Sequence, residues 1–209
     1  NTAVGFNTLG ALTTVSACTA VGYNAGAANT SGVANVYVGA YTGDATTTGG
    51  YNTFVGDAAG GANTTGASNT FVGQGAGDAN TTASNNNAFG YGALGANTTG
   101  TGNTALGMIC LAACTTGNTN VAVGGNALND LTTGSNNVVV GVDAADVLTT
   151  GGANVAIGKN ALGAQTTASD NTAVGDHALA TVTTGGGNAA CGQAAGDAIT
   201  VGATNSLLG

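Results

Sequence analysis

A five-residue motif, N-T-A-V-G at Asn1 to Gly5, returns every 17 residues without an insertion or a deletion. It reads C-T-A-V-G from Cys18, N-V-Y-V-G from Asn35 and N-T-F-V-G from Asn52 and Asn69. It continues from Asn86, Asn103, Asn120, Asn137, Asn154, Asn171, Asn188 and Asn205, so twelve full units and the first five residues of a thirteenth account for all 209 residues. A period this short and this strict means one structural unit per repeat, each stacked on its neighbours. It is too short for a pair of helices.

Numbered from the Asn, position 4 is apolar in every copy: Val4, Val21, Val38, Val55, Val72, Phe89, Leu106, Val123, Val140, Ile157, Val174, Cys191 and Leu208. That column reads as an internal stack. Position 5 is always Gly, as expected where the backbone turns with φ > 0 or a corner has no room for a Cβ. Position 13 is Thr in all twelve full units, and position 15 is Gly in most. A second strand over positions 11 to 14, closed by that glycine, fits the spacing. No window carries helical periodicity, and Pro and Trp are absent. The fold expected is therefore all-β: a parallel β-solenoid or β-roll with 17 residues per coil and about 12 coils, residues 17 apart stacking in register, Val55 on Val38 and Val72. Recurrent Asn at position 1 predicts an amide ladder along the stack, and the Thr column predicts a hydroxyl or backbone ladder. The whole of 1–209 reads as one uncapped array, a piece of a longer fibre.

Position 3 is also apolar, although a strand must point it away from position 4. Its size trades against position 9. Tyr37, Phe54 and Phe71 go with Gly43, Gly60 and Gly77, whereas Ala88, Ala105 and Ala156 go with Leu94, Leu111 and Leu162; the Ala20/Gly26 and Ala190/Gly196 coils are exceptions, small at both places, and Val139/Ala145 is intermediate. Near-constant volume implies one shared space, either the coil's own core or a seam between chains. With position 4 taken as the core, Tyr37, Phe54, Phe71, Gly43, Gly60 and Gly77 become the expected assembly interface, covered by another copy of the chain.

The T-A-V-G run followed by Ala at position 8, as in Asn171 to Gly175 with Ala178 or Asn154 to Gly158 with Ala161, resembles the head repeats of trimeric autotransporter adhesins, whose unit is shorter. Similar repeats occur in phage tail fibres and bacterial surface fibres. The resemblance implies a left-handed parallel β-roll, a homotrimer around one axis, and a role in attachment at a cell surface or on a virion, with a host-surface receptor or glycan as partner.

With one Lys, no Arg and nine acidic residues, a formal charge of -8 leaves no footprint for nucleic acid. No apolar run is long enough to span a membrane. His177 beside Asp176 has no accompanying nucleophile, and a cross-coil ion pair between Asp176 and Lys159 is its simplest partner scheme. Asp44, Asp78, Asp146 and Asp197 share position 10 on coils that are not adjacent, and Asp130, Asp143 and Asp146 read as a solvated rim. No catalytic, cofactor or metal site is assigned, and the chain is not expected to be an enzyme. Cys18, Cys110, Cys114 and Cys191 read as small buried residues, with only Cys110 and Cys114 near enough in sequence to pair within a chain. The N-T-T and N-T-S triplets at Asn29, Asn63, Asn80 and Asn97 fall at position 12 as a by-product of the repeat. The expected function is a structural and adhesive extracellular fibre segment that presents a binding tip. The alternative is a self-assembling filament of coils stacked end to end, and ice binding by the Thr column is the outsider, because adjacent Thr residues leave one rank per face.

Overall fold

The computed structural model describes all residues 1–209. It contains thirteen three-residue strands, one per repeat: β1 (Thr2–Val4), β2 (Thr19–Val21), β3 (Val36–Val38), β4 (Thr53–Val55), β5 (Thr70–Val72), β6 (Asn87–Phe89), β7 (Thr104–Leu106), β8 (Val121–Val123), β9 (Val138–Val140), β10 (Val155–Ile157), β11 (Thr172–Val174), β12 (Ala189–Cys191) and β13 (Ser206–Leu208). They form one parallel sheet in chain order. The register is 17 throughout, and Val55 of β4 pairs with Val38 of β3 and Val72 of β5 as expected. The fold is an all-β parallel solenoid without helix.

Backbone hydrogen bonds run from coil to coil around the whole circumference. In the coil starting at Asn52, the amide of Thr53 donates to Asn69 O at 2.9 Å, Gly60 to Ala76 O at 2.9 Å, Ala62 to Asp78 O at 2.9 Å and Thr64 to Thr81 O at 2.8 Å, while Gly56 donates to Val38 O of the preceding coil at 2.8 Å. Between these rungs the chain turns continuously. Ala59 donates to Gly56 O, Gly61 to Ala58 O and Asn63 to Gly60 O, three successive tight turns that use up positions 5 to 12. The turns need left-handed backbone at positions 7 and 9: Ala58 has φ 53° and Gly60 φ 59°. At position 5 the requirement is stricter. Gly56 has φ 131°, and a Cβ there would lie 2.5 Å from Gly73 O of the next coil, so both conformation and space demand glycine.

The expected second strand over positions 11 to 14 does not form. The turns extend to position 12, and the amides of positions 13 and 14 both donate to one carbonyl above: Thr64 at 2.8 Å and Thr65 at 3.3 Å share Thr81 O. That shared acceptor replaces the alternating exchange a strand pair requires. The Thr side chains reinforce it, as Thr64 Oγ1 donates to Thr81 O at 3.0 Å and Thr81 Oγ1 to Thr98 O at 3.1 Å. The hydroxyl ladder read from the sequence is present.

The core lies inside the coil and is lined by positions 1, 3, 8, 9 and 12. Position 1 supplies the amide ladder: Asn52 Nδ2 reaches across the coil to Gly66 O at 2.9 Å, and its Oδ1 accepts from the Asn69 amide one coil on at 3.0 Å. These Asn side chains are fully buried from Asn35 onward to Asn171, so each buried polar atom is matched to a backbone group that would otherwise be orphaned. Cys18 takes the Asn place in its coil and directs Sγ to Gly32 O at 3.3 Å. At position 12, Asn80 Nδ2 donates to Asn63 Oδ1 and Asn97 Nδ2 to Asn80 Oδ1, both at 2.9 Å. The ladder stops at Asn97, whose Oδ1 has no partner, because the next residue in the column is Cys114. The buried Gln165 amide, set in the same column between Leu148 and Val182, is unpaired at both ends.

Candidate assembly interface

The two faces of the strand are assigned the opposite way from the sequence expectation. Position 3 points into the coil's own core, where Tyr37, Phe54 and Phe71 are all 0% exposed in the single chain. The rings stack on one another up the core, Phe54 on Phe71 with centroids 4.9 Å apart at 6°, and Tyr37 on Phe54 at 5.9 Å. Each ring fills the space left by the glycine of its own coil. A Cβ at Gly60 would sit 2.6 Å from the Phe54 ring, and one at Gly77 would sit 2.5 Å from the Phe71 ring; at Gly43 the Tyr37 ring blocks it in the same way. The volume exchange between positions 3 and 9 is therefore real, but it operates within one chain. Tyr37, Phe54, Phe71, Gly43, Gly60 and Gly77 are core residues and not an interface.

Position 4, in contrast, faces outward. None of its thirteen residues is buried, and Phe89, Leu106 and Ile157 are each 40% exposed. Position 2 lies on the same face and carries Thr, Val, Ala, Asn and Ser. The outer surface of the sheet is thus an uncharged strip, apolar along the position-4 column and Thr- and Val-rich along position 2, that runs the full length of the rod, ~58 Å for twelve intervals at ~4.8 Å per strand. Three-residue strands make the strip ~10 Å wide, on the order of 600 Å² along the rod, so a side-by-side contact reaching the ~800 Å² per partner of a stable protein interface takes in the flanking corners as well.

The remaining candidates resolve into structural roles. Asp176 makes no ion pair with Lys159. Its Oδ1 lies 3.0 Å from Nδ1 of the adjacent His177, and Nε2 of that ring meets Asn160 Nδ2 of the preceding coil at 3.0 Å; the vicinal imidazole, turned by its left-handed φ of 57°, is the nearer partner. Asp44 and Asp78, two coils apart, do approach one another, because Gly61 lies between them. A Cβ on Gly61 would be 2.8 Å from Asp78 Oδ1 and 3.7 Å from Asp44 Oδ1. Partial burial is the main cause that raises both carboxyls above the ordinary range, aided at Asp44 by the charge of Asp78 and at Asp78 by that of Asp57.

All four cysteines are free, and Cys18, Cys110 and Cys114 are buried as expected. Burial pushes the Cys110 thiol up to about 12 and the Cys114 thiol to about 11, which keeps both protonated and unreactive at neutral pH. Cys191 departs from the expectation: it is exposed, because position 4 faces out. Asn29, Asn63, Asn80 and Asn97 are 0% exposed, so the triplets they head are core positions of the folded coil. No protein-family model, curated protein or solved structure matches this chain.

Proposed function

We propose that this solenoid is a structural and adhesive segment of an extracellular fibre, and that its copies associate side by side through the outer face of the sheet. The observation that carries this reading is the uncharged strip at positions 2 and 4, with its outward apolar column at position 4, continuous over thirteen strands. A second copy of the same chain is the partner it fits, because only a surface with the same strand spacing can keep its side chains in step with the strip over the full length of the rod. The resemblance to trimeric autotransporter adhesins points to three chains around one axis. Rigidity follows from the backbone ladder around every coil, and a stiff, parallel-sided rod suits the projection of a binding tip.

Sedimentation equilibrium tests it. The chain is expected as a discrete trimer, and Val38→Glu combined with Ile157→Glu is expected to give monomers with an unchanged β circular dichroism spectrum, since both residues lie outside the core. A wild-type chain that sediments as a monomer at micromolar concentration overturns the proposal. Open-ended polymers that survive the two Glu substitutions replace it with end-to-end stacking of coils.

A further inference from the structure

Position 6, just past the Gly corner, is under no structural demand. It holds residues as different as Asp57, Gln74, Tyr91, Met108, Gly125 and Lys159 in different coils, and none of these changes the register. In the first three coils this corner nonetheless carries three aromatic rings in contact: Phe6 and Tyr23 at position 6, and Tyr41 displaced to position 7. Phe6 and Tyr23 stack with centroids 5.4 Å apart at 11°, and Tyr23 meets Tyr41 at 5.3 Å and 68°. All three are exposed, and Phe6 is 71% so. Tyr41 also pays a conformational cost, since its φ is 52°, a left-handed value that costs a residue with a Cβ roughly 1–2 kcal/mol. Neighbouring coils place Asn7, Asn24, Ala58, Gly75 and Gly92 at that position, most of them residues that tolerate left-handed backbone. The left-handed backbone belongs to position 7 in every coil, and Ile109 also holds it at φ 54°, so what sets the first three coils apart is the contact among three exposed rings.

We propose that Phe6, Tyr23 and Tyr41 form a binding platform for an uncharged oligosaccharide laid along the rod. The inference rests on the adhesive reading above and names the ligand class for it. The Phe6–Tyr23 centroid separation of 5.4 Å exceeds the ~3.5–4.0 Å of direct face contact, so these two nearly parallel rings are laterally offset and leave part of a face uncovered for the C–H side of a pyranose, while Tyr41, turned 68° from Tyr23, bounds the platform at its end. The pitch of one ring per coil, 5.3 to 5.4 Å, is close to the length of one pyranose unit in an extended chain, so two successive sugars match the offset Phe6 and Tyr23 rings and a third reaches Tyr41. Polar groups needed for the sugar hydroxyls lie alongside. The Tyr23 and Tyr41 hydroxyls are not used within the chain. Asn7 Nδ2 donates to Asn24 Oδ1 at 2.9 Å, which orients the Asn24 amide and leaves its Nδ2 free to donate. The only Lys or Arg of the sequence, Lys159, is several coils away, while Asp44 lies on the coil of Tyr41 and Asp57 on the next; anionic glycans are therefore disfavoured.

Saturation-transfer difference NMR on the intact 209-residue chain, with cellotetraose and with the β-1,4-linked tetramer of N-acetylglucosamine as probes, provides the test. Transfer to ring protons of at least one probe is expected. Tyr23→Ala with Tyr41→Ala should weaken the affinity at least tenfold, whereas Tyr51→Ala, an exposed tyrosine outside the cluster, should leave it unchanged. Absence of transfer to both probes at millimolar concentration, or transfer that persists in the double variant, overturns the platform. Sedimentation of the same double variant separates the two readings: an intact assembly with lost sugar binding assigns the rings to the ligand, and loss of assembly assigns them to contact between chains.

Discussion

Phe54 and Gly60 occupy one space within a single coil, and neither can change alone. Truncation of Phe54 to Ala opens a cavity between Tyr37 and Phe71, at a cost of roughly 3–5 kcal/mol. Gly60→Leu in the presence of Phe54 drives a side chain into a ring that already lies 2.6 Å from the site of the new Cβ. The two changes together recreate the Ala88/Leu94 arrangement two coils away, in which Leu94 is fully buried and holds φ 55°. The doubly substituted chain is therefore expected to recover more than half of the stability lost by either single variant, as measured by chemical denaturation. Independent, additive losses would show that the two side chains do not share a volume. The residual deficit has an identifiable source, because Leu at position 9 pays for left-handed backbone that Gly adopts freely.

At the scale of the strand and its turns, the acidic corner reports on its own surroundings through pH. Asp44 and Asp78 converge over Gly61, and partial burial holds both carboxyls above their ordinary values. An acid whose folded pKa is raised stabilises the fold while protonated. That contribution is complete below the unfolded pKa of ~3.9 and is lost as pH rises through the folded value. The melting temperature should therefore fall as pH is raised from about 4 toward neutrality, and Asp44→Asn with Asp78→Asn should flatten the fall; a melting temperature that rises over the same window contradicts the assignment. This corner was invisible to sequence reasoning, which placed Asp44 and Asp78 on coils too far apart to interact and did not weigh the missing side chain at Gly61. The strand faces were misread for a related reason. Constancy at position 4 looked like depth, yet Val, Ile and Leu are favoured on a pleated sheet wherever it packs, and position 4 faces out. The variable column, position 3, is the buried one, because each substitution from Ala to Phe is compensated by Leu to Gly across the same coil. What the sequence did make legible was the period, the Asn and Thr ladders and the position-5 corner, since each of these depends on a contact with an identical residue one coil away.

For the whole molecule, that dependence on nearest neighbours determines how the rod responds to changes in length. Every strand pairs only with the strands before and after it, so stability is approximately a sum of unit and interface contributions, and no contact spans the rod. Removal of residues 120–136, one complete unit, joins Thr119 to Asn137 and sets Asn137 on Asn103, Thr149 on Thr115 and Gly141 on Gly107. Every ladder is restored. This shortened chain is expected to unfold in one transition, with a stability lower by about one unit's share of the twelve. Removal of residues 120–135 leaves Asn136 as one residue too many at the junction. The extra residue has to bulge, which breaks the amide ladder at position 1 and the shared carbonyl at position 13 in the same coil, while the turns of positions 5 to 12 have no slack to absorb it. Coils on either side then retain their own neighbours but lose each other, so two transitions are expected in thermal unfolding followed by circular dichroism. A single transition in both shortened chains would mean that coupling along the rod does not pass through the coil-to-coil ladders, and that the strip on the outer face, bound to other copies, is what makes the rod unfold as one.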